Sequence, residues 1–487
     1  MAKRVSVIDI GSNSVRMAIY EKTSRFAFHL LYEAKTKVRI SEDAYKNNNN
    51  LQEVAMQRTI DALADFLSIS LSFKARKTLC VATSALRDAP NKKDFLNRVK
   101  KALKLNIKII NGEREAYLGG IACANLLPQQ KNALSIDIGG GSTEFCIINN
   151  KDIDKTISLN LGTVRLKELF FDNNKIDEAI EYIDSKLKSL DDINTSTLIG
   201  IGGTFRAIST AIMSNTNYPL DKLHAYRYSK EAFGDFISDV LKADEKQMKK
   251  LGIKSDRFDV IKPGALILQR VLKKISIKQL VTSGVGIREG VYLSDLLRNS
   301  KDKFPTNYNT SVRYLIDAHI LEKSFSNQLN ALSKKIFDAT YKHLDIDKKY
   351  RKDFTTAAKL YPIGSSIHFY SKHKHSYYLI QNALEYGFTH EQIILIATLV
   401  RYAKRKLPSS EHVQKYNILL PKEKTLNSLS YLLSLTIALL SHRPRNIDFK
   451  CDFKDGVLKI ESKSNLYLSK EAVNKLDNIK NFQVRFN

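Results

Sequence analysis

Residues 4–20 read RVSVIDIGSNSVRMAIY, and residues 133–148 read ALSIDIGGGSTEFCII. Both are an apolar run, a short polar turn with glycine, and a second apolar run, which is the pattern of a strand, a tight turn and a returning strand. Both carry D-I-G-x-x-S, with Asp9 and Asp137 placed 128 positions apart. This is a two-copy duplication of one small device, with a spacing too long for a solenoid repeat. Glycine lets successive backbone N–H groups converge on an anion, and Ser12, Asn13, Ser14 and Ser142 add further donors. The candidate phosphate cradles are therefore Ser12–Ser14 and Gly139-Gly140-Gly141-Ser142. An aspartate beside a phosphate repels it unless a cation stands between them. The pattern therefore predicts Mg²⁺ or another divalent cation, held by Asp137 and by Glu144 on the returning strand. Asp9 is expected to orient water or metal, and Arg16 to reach a phosphate.

Between and after the two copies, strands alternate with helices. Strands are expected near 78–82, 107–110, 156–160, 197–201 and 279–282. Helices are expected near 51–72, 91–104, 113–125, 175–190 and after Gly202-Gly203. This alternation predicts an α/β architecture over the N-terminal half. No GxxxxGK[ST] occurs, and each glycine turn leads into a strand rather than a helix, so neither a Walker A loop nor a Rossmann fingerprint is present. From Phe304-Pro305 onward the pattern becomes helical. Residues 425–441 read as a further buried helix, and residues 447–461 as a hairpin turning at Asp455-Gly456.

The paired loops resemble the actin/sugar kinase/heat-shock ATPase superfold, in which two related domains clamp a phosphate chain. That likeness leaves kinase, chaperone and hydrolase open. Further segments are more specific: VATSALRDAPN at 81–91, NGEREAYLGG at 111–120, LGTVRL at 161–166, GIGGT at 200–204 and TSGVGIREG at 282–290. In this order they resemble the exopolyphosphatase/guanosine-pentaphosphate phosphatase (Ppx/GppA) family. The resemblance implies a hydrolase that releases the terminal phosphate of inorganic polyphosphate or guanosine pentaphosphate. The second substrate would connect it to the stringent response. Members of the family often dimerise, so a homodimer is a further expectation.

Hydrolysis of a phosphoanhydride needs a water, a base to orient it and positive charge on the transferring oxygens. Glu113 and Glu115 open one predicted helix but, two residues apart, do not share a face. The family pattern selects Glu115 as the base and leaves Glu113 to the helix dipole. Arg87 follows a strand through a Thr-Ser turn and is expected to grip phosphate oxygens, the alternative being an ion pair with Asp88. Gly202-Gly203 would approach a nucleoside or the phosphate chain, or simply let helix and strand pack closely.

In longer members of the family the helical region resembles HD-type metal phosphohydrolases. Here Tyr361-Pro362 stand where the metal-binding dyad belongs, so an HD-like scaffold without chemistry is expected. The implied domains are 1–125 and 126–304 (two actin-like domains), 305–410 (all-α, HD-like) and 411–487 (a small α+β domain). The chain carries 78 Lys and Arg against 51 Asp and Glu, a net charge of +27, with 31 basic and 17 acidic residues in 301–487. This favours polyanionic partners. A polyanion- or RNA-binding regulator with a vestigial cleft is the rival reading, though nucleic acid is not the favoured partner. Four scattered cysteines without a CxxC pair exclude a zinc knuckle and suggest a reducing compartment. Neither a signal peptide nor a membrane span is expected, so the predicted location is cytoplasmic.

Overall fold

The computed structural model describes residues 3–44 and 46–486 and divides into two units, meeting in sequence at Tyr308/Asn309. The first unit contains two sheets built on one plan. Strands β1 (Arg4–Ile10), β2 (Val15–Lys22), β3 (Phe28–Thr36), β4 (Lys77–Ala82) and β5 (Ile107–Ile109) lie in the order β3-β2-β1-β4-β5. The second sheet takes β6 (Gln130–Ile138), β7 (Thr143–Asn150), β8 (Asp152–Leu159), β9 (Thr197–Ile201), β10 (Arg227–Ser229) and β11 (Gln279–Thr282). Its order, β8-β7-β6-β9-β11-β10, repeats the first and adds one antiparallel edge strand. In both sheets an antiparallel meander precedes parallel strands. The duplication seen in the two loops therefore extends to whole sheets.

β1 is buried along nearly its full length, as its almost unbroken apolar run requires. Its one interior hydroxyl, Ser6, bonds Ser70 Oγ at 2.8 Å on the covering helix. β3 was not anticipated. Its sequence, FHLLYEAKT, alternates irregularly because it is an edge strand with a half-exposed face.

The boundary expected at 125/126 does not match the packing. Helix Gly112–Leu126 lies on the second sheet, where Cys123 and Ala124 share a core with Cys146, Ile199 and Ile201. Helix Ile287–Leu296, from the end of the second half, returns to the first sheet. There Tyr292 stacks on Tyr20 with ring centroids 4.5 Å apart. The two halves thus exchange covering helices, which ties them together across the cleft.

The second unit, from Asn309 onward, is helical, with a three-stranded sheet of β12 (Lys450–Lys454), β13 (Val457–Glu461) and β14 (Gln483–Phe486). The expected hairpin turns at Asp455 and Gly456, whose φ angles of 51° and 79° give the mirror-image turn that matches strand twist. One core runs from Val312 to Phe482 and includes Leu429, Leu458 and Ile460. The division expected at 410/411 is therefore absent: the C-terminal strands complete the helical core because they are too few to enclose one themselves. Tyr361 is buried, and its carbonyl accepts from Ser376 Oγ at 2.7 Å. Among the described residues no helix is long and apolar enough to cross a membrane, and all four cysteines are free thiols.

Candidate active site

The duplicated hairpins build the floor of a cleft. Register pairs Ile10 with Val15 and Ile138 with Thr143, leaving loops 11–14 and 139–142 of equal length. Each loop is closed by the same bond: Gly11 N donates to Ser14 O at 3.2 Å, and Gly139 N to Ser142 O at 2.9 Å. The loops face each other so closely that a Cβ on Gly140 would lie 2.9 Å from Ser12 Cβ. One position differs in sign between the copies. Arg16 stands opposite Asp9, whereas Glu144 stands opposite Asp137.

The cleft gathers every residue expected from sequence except Arg87 as lining: Asp9, Ser12, Asn13, Ser14, Arg16, Glu115, Asp137, Gly139, Gly140, Gly141, Ser142, Glu144, Gly202 and Gly203. Arg87 stands directly behind. Its Nη1 donates to Glu115 Oε2 at 3.0 Å and to Ile110 O at 3.2 Å, and its Nη2 to Ser142 Oγ at 3.4 Å. Asp88 is farther, at 3.8 Å from Arg87 Nε, and is engaged by Arg165 at 3.0 Å. Arg87 therefore bridges the predicted base to the second phosphate loop. Asn111 caps the helix that carries Glu115 by accepting from Arg114 N at 2.9 Å, which sets where that helix begins.

Five carboxylates line this small space, and burial favours the protonated form of each. Asp9 is pushed up to about 6 by burial, against the pull of Arg16 and Arg288. Burial raises Asp137. Glu144 rises to about 8, mainly through burial and with Asp137 adding to it; its Oε1 accepts from Ser158 Oγ at 2.9 Å. Glu115 stands well above the ordinary carboxylate range, first through burial and then through Glu144, despite its bond to Arg87. Gly202, with φ of +86°, presses its backbone on Asp137: a Cβ there would lie 2.5 Å from Asp137 Oδ1.

The donor set suits a hard divalent cation. Asp137 and Glu144 are cross-strand neighbours to which, among the described residues, no cationic side chain is bonded, and Mg²⁺ usually takes only one or two carboxylates and completes its shell with water and phosphate oxygens. Among the described residues no group of three or more His, Cys, Asp or Glu is arranged to hold a metal, which excludes a zinc-type cage from them.

Several cleft residues were not singled out from sequence. Thr83 and Ser84 lie in the quoted VATSALRDAPN stretch, and Arg288 and Glu289 in TSGVGIREG, so a signal existed for these. Glu289 is buried and accepts from Tyr20 OH at 2.5 Å and Gly286 N at 2.7 Å. Although burial opposes it, Arg288 and these donors hold Glu289 below its usual range. Lys35, Arg206 and Arg257 also line the cleft. Burial, then Arg257 and Arg16, lower Lys35 to about 8. These cations continue into an adjoining cavity of about 440 Å³, whose lining includes Arg16, Lys35, Arg206, Lys254, Arg257 and Arg288 and no aromatic ring.

A profile of the Ppx/GppA phosphatase family matches residues 18–299, and one of its domain III matches residues 308–479. The chain belongs to the Ppx/GppA phosphatase family. Among Ppx/GppA structures, an exopolyphosphatase from Cytophaga hutchinsonii superposes with a TM-score of 0.57 at 25% identity, over 62% of this chain and 100% of that one. A family member from Aquifex aeolicus gives 0.54 at 27% identity, over 62% and 99%. A bifunctional 3-dehydroquinate synthase/phosphatase of Fusobacterium nucleatum is 35% identical over 283 residues, which is 54% of this chain and 42% of that protein. The match thus spans less than half the length of that relative. The domain III match, like the shared core, treats residues 308–479 as one body.

Proposed function

We propose that this cleft hydrolyses the terminal phosphoanhydride bond of a polyphosphorylated substrate, with inorganic polyphosphate preferred and guanosine pentaphosphate as the alternative. The observation that carries the reading is the Arg87 bridge from Glu115 to Ser142, which joins a candidate base to a phosphate cradle. The backbone amides of both loops, Ser12, Asn13, Ser14, Arg16 and Ser142 hold the terminal phosphates. Glu115 in its ionised form takes a proton from a water aligned with the scissile bond, and the burial that raises its proton affinity favours that transfer. The water oxygen bonds to the terminal phosphorus, the bridging P–O bond breaks, and the shortened chain departs with the electron pair. Arg87 steadies Glu115 and offsets charge on the transferring oxygens. Asp9 orients the water. A divalent cation held by Asp137 and Glu144 would offset the negative charge of the phosphate chain.

The adjoining cavity supports the preference for polyphosphate. Six cations against two acids, Glu33 and Asp256, and no aromatic ring among the described residues of its lining suit a run of phosphates better than a purine. The test is orthophosphate release by the purified chain with Mg²⁺, comparing kcat/KM for long-chain polyphosphate and guanosine pentaphosphate. Release from polyphosphate that stops on chelation is expected. Release from neither substrate, with any divalent cation supplied, rejects the hydrolase reading in favour of a vestigial cleft.

A further inference from the structure

The second unit carries a surface that phosphate hydrolysis does not use. No acidic residue occurs between Asp353 and Glu385, or between Glu391 and Glu411. The fold brings these two stretches together. Arg401 lies 4.8 Å from the ring centre of Tyr377, and His373 is held below its ordinary range by burial first and by Lys404 next. On the first stretch Phe369, Tyr370 and Tyr378 are 65%, 74% and 64% exposed. Phe369 and Tyr370 meet edge to face at 5.6 Å, and Lys372 Nζ lies 5.0 Å from the Phe369 ring centre. Lys374, Lys404, Arg405 and Lys406 are exposed on the same two stretches.

We propose that this face binds single-stranded nucleic acid, with Phe369 and Tyr370 stacking on bases and the surrounding lysines and Arg405 neutralising phosphates. Leaving these aromatic side chains in water is unfavourable, and the contact between Phe369 and Tyr370 marks a surface built to be covered. Bases present π-faces to such rings, whereas a bare phosphate chain would use the cations and leave the rings unpaired. A second copy of the chain would bring like charge against like charge. Of the three occupants, single-stranded nucleic acid is the one that satisfies both the rings and the cations.

The test uses the full chain without divalent cation, so that no phosphate is hydrolysed, and a fluorescent oligouridylate of about 12 nucleotides. Binding is expected, with log K falling against log salt at about −0.7 per phosphate neutralised. The double variant Phe369→Ala/Tyr370→Ala is expected to weaken RNA binding by roughly 10- to 100-fold and to leave polyphosphate binding unchanged. Lys404→Glu/Arg405→Glu is expected to weaken both, and Phe369→Trp/Tyr370→Trp to keep RNA affinity. Thermal melts and phosphate release from polyphosphate should match the parent for each aromatic variant, because these side chains are exposed and outside the cleft. Three results would overturn the proposal: no RNA binding at low salt, RNA affinity indifferent to the alanine pair, or a self-association, seen by light scattering, that the alanine pair abolishes.

Discussion

Glu115→Gln should separate activity from stability, moving them in opposite directions. Glutamine keeps the shape of the side chain and an oxygen that can accept from Arg87 Nη1, which stands 3.0 Å from Glu115 Oε2. The capped helix and the phosphate loops should therefore persist, and KM should change little. What is lost is the basic oxygen. Removing a general base costs about 10²- to 10⁴-fold in kcat, roughly 3–5 kcal/mol of barrier. Stability should shift the other way. Burial and then Glu144 raise the proton affinity of Glu115, so the folded state holds a proton that the unfolded chain releases. The stability tied to that proton is complete below the unfolded pKa and is lost as pH rises through the folded one. Glutamine is neutral at every pH and escapes this loss. Melting temperatures measured without substrate or divalent cation should coincide at pH 4 and diverge with rising pH. By pH 8 the variant should be more stable by roughly 1 kcal/mol, a rise of a few degrees. Steady-state phosphate release and calorimetry across pH supply the two readouts. Near-native kcat, or a variant that melts below the parent at pH 8, would refute the assignment of Glu115 as a buried base of raised proton affinity.

Other expectations follow from the same cleft. Arg87→Lys keeps the charge but loses the fork that reaches Glu115, Ile110 and Ser142 together, so kcat/KM should fall about 10²-fold with little change in melting temperature. Gly202→Ala places a methyl 2.5 Å from Asp137 Oδ1 at a φ of +86°. It should destabilise by more than about 1 kcal/mol and raise the Mg²⁺ concentration needed for half-maximal rate, read from a metal titration. Lys35 loses its proton at about 8, so kcat/KM on polyphosphate should fall as pH rises through 8, and Lys35→Arg should flatten that limb.

Much of the first unit was legible because its signals are local. A four-residue turn between two apolar strands is recognisable without knowing what lies across from it, and the repeat of D-I-G-x-x-S exposed the duplication. β3 was missed because an edge strand with one half-exposed face does not alternate cleanly. The helix exchange was missed because Gly112–Leu126 is buried at every position from Leu118 to Ala124 and Ile287–Leu296 at every position from Arg288 to Leu293, and a helix covered all round has no single apolar stripe to name the sheet it packs on. The C-terminal division failed for a related reason: a hairpin and one helix look like a separate domain until their apolar faces are seen in a neighbouring core.

The sequence by itself determined that this protein holds two matched glycine loops, each following an Asp-Ile pair at the end of a strand. It determined this because loop length, glycine and strand register are set by residues next to one another. Only the tertiary structure decided what those loops face. It brought Arg87 to Glu115, 28 positions away, and to Ser142, 55 positions away. It placed Arg16 and Glu144, equivalent in the duplication, as opposite charges in one cleft. It also drew Lys35, Arg206, Arg257 and Arg288 from separate elements to the same wall. In a chain with 78 lysines and arginines no local pattern marks the first three, whereas Arg288 lies within the TSGVGIREG stretch. Their function depends on burial and proximity, which exist only once the two halves have closed over the cleft between them.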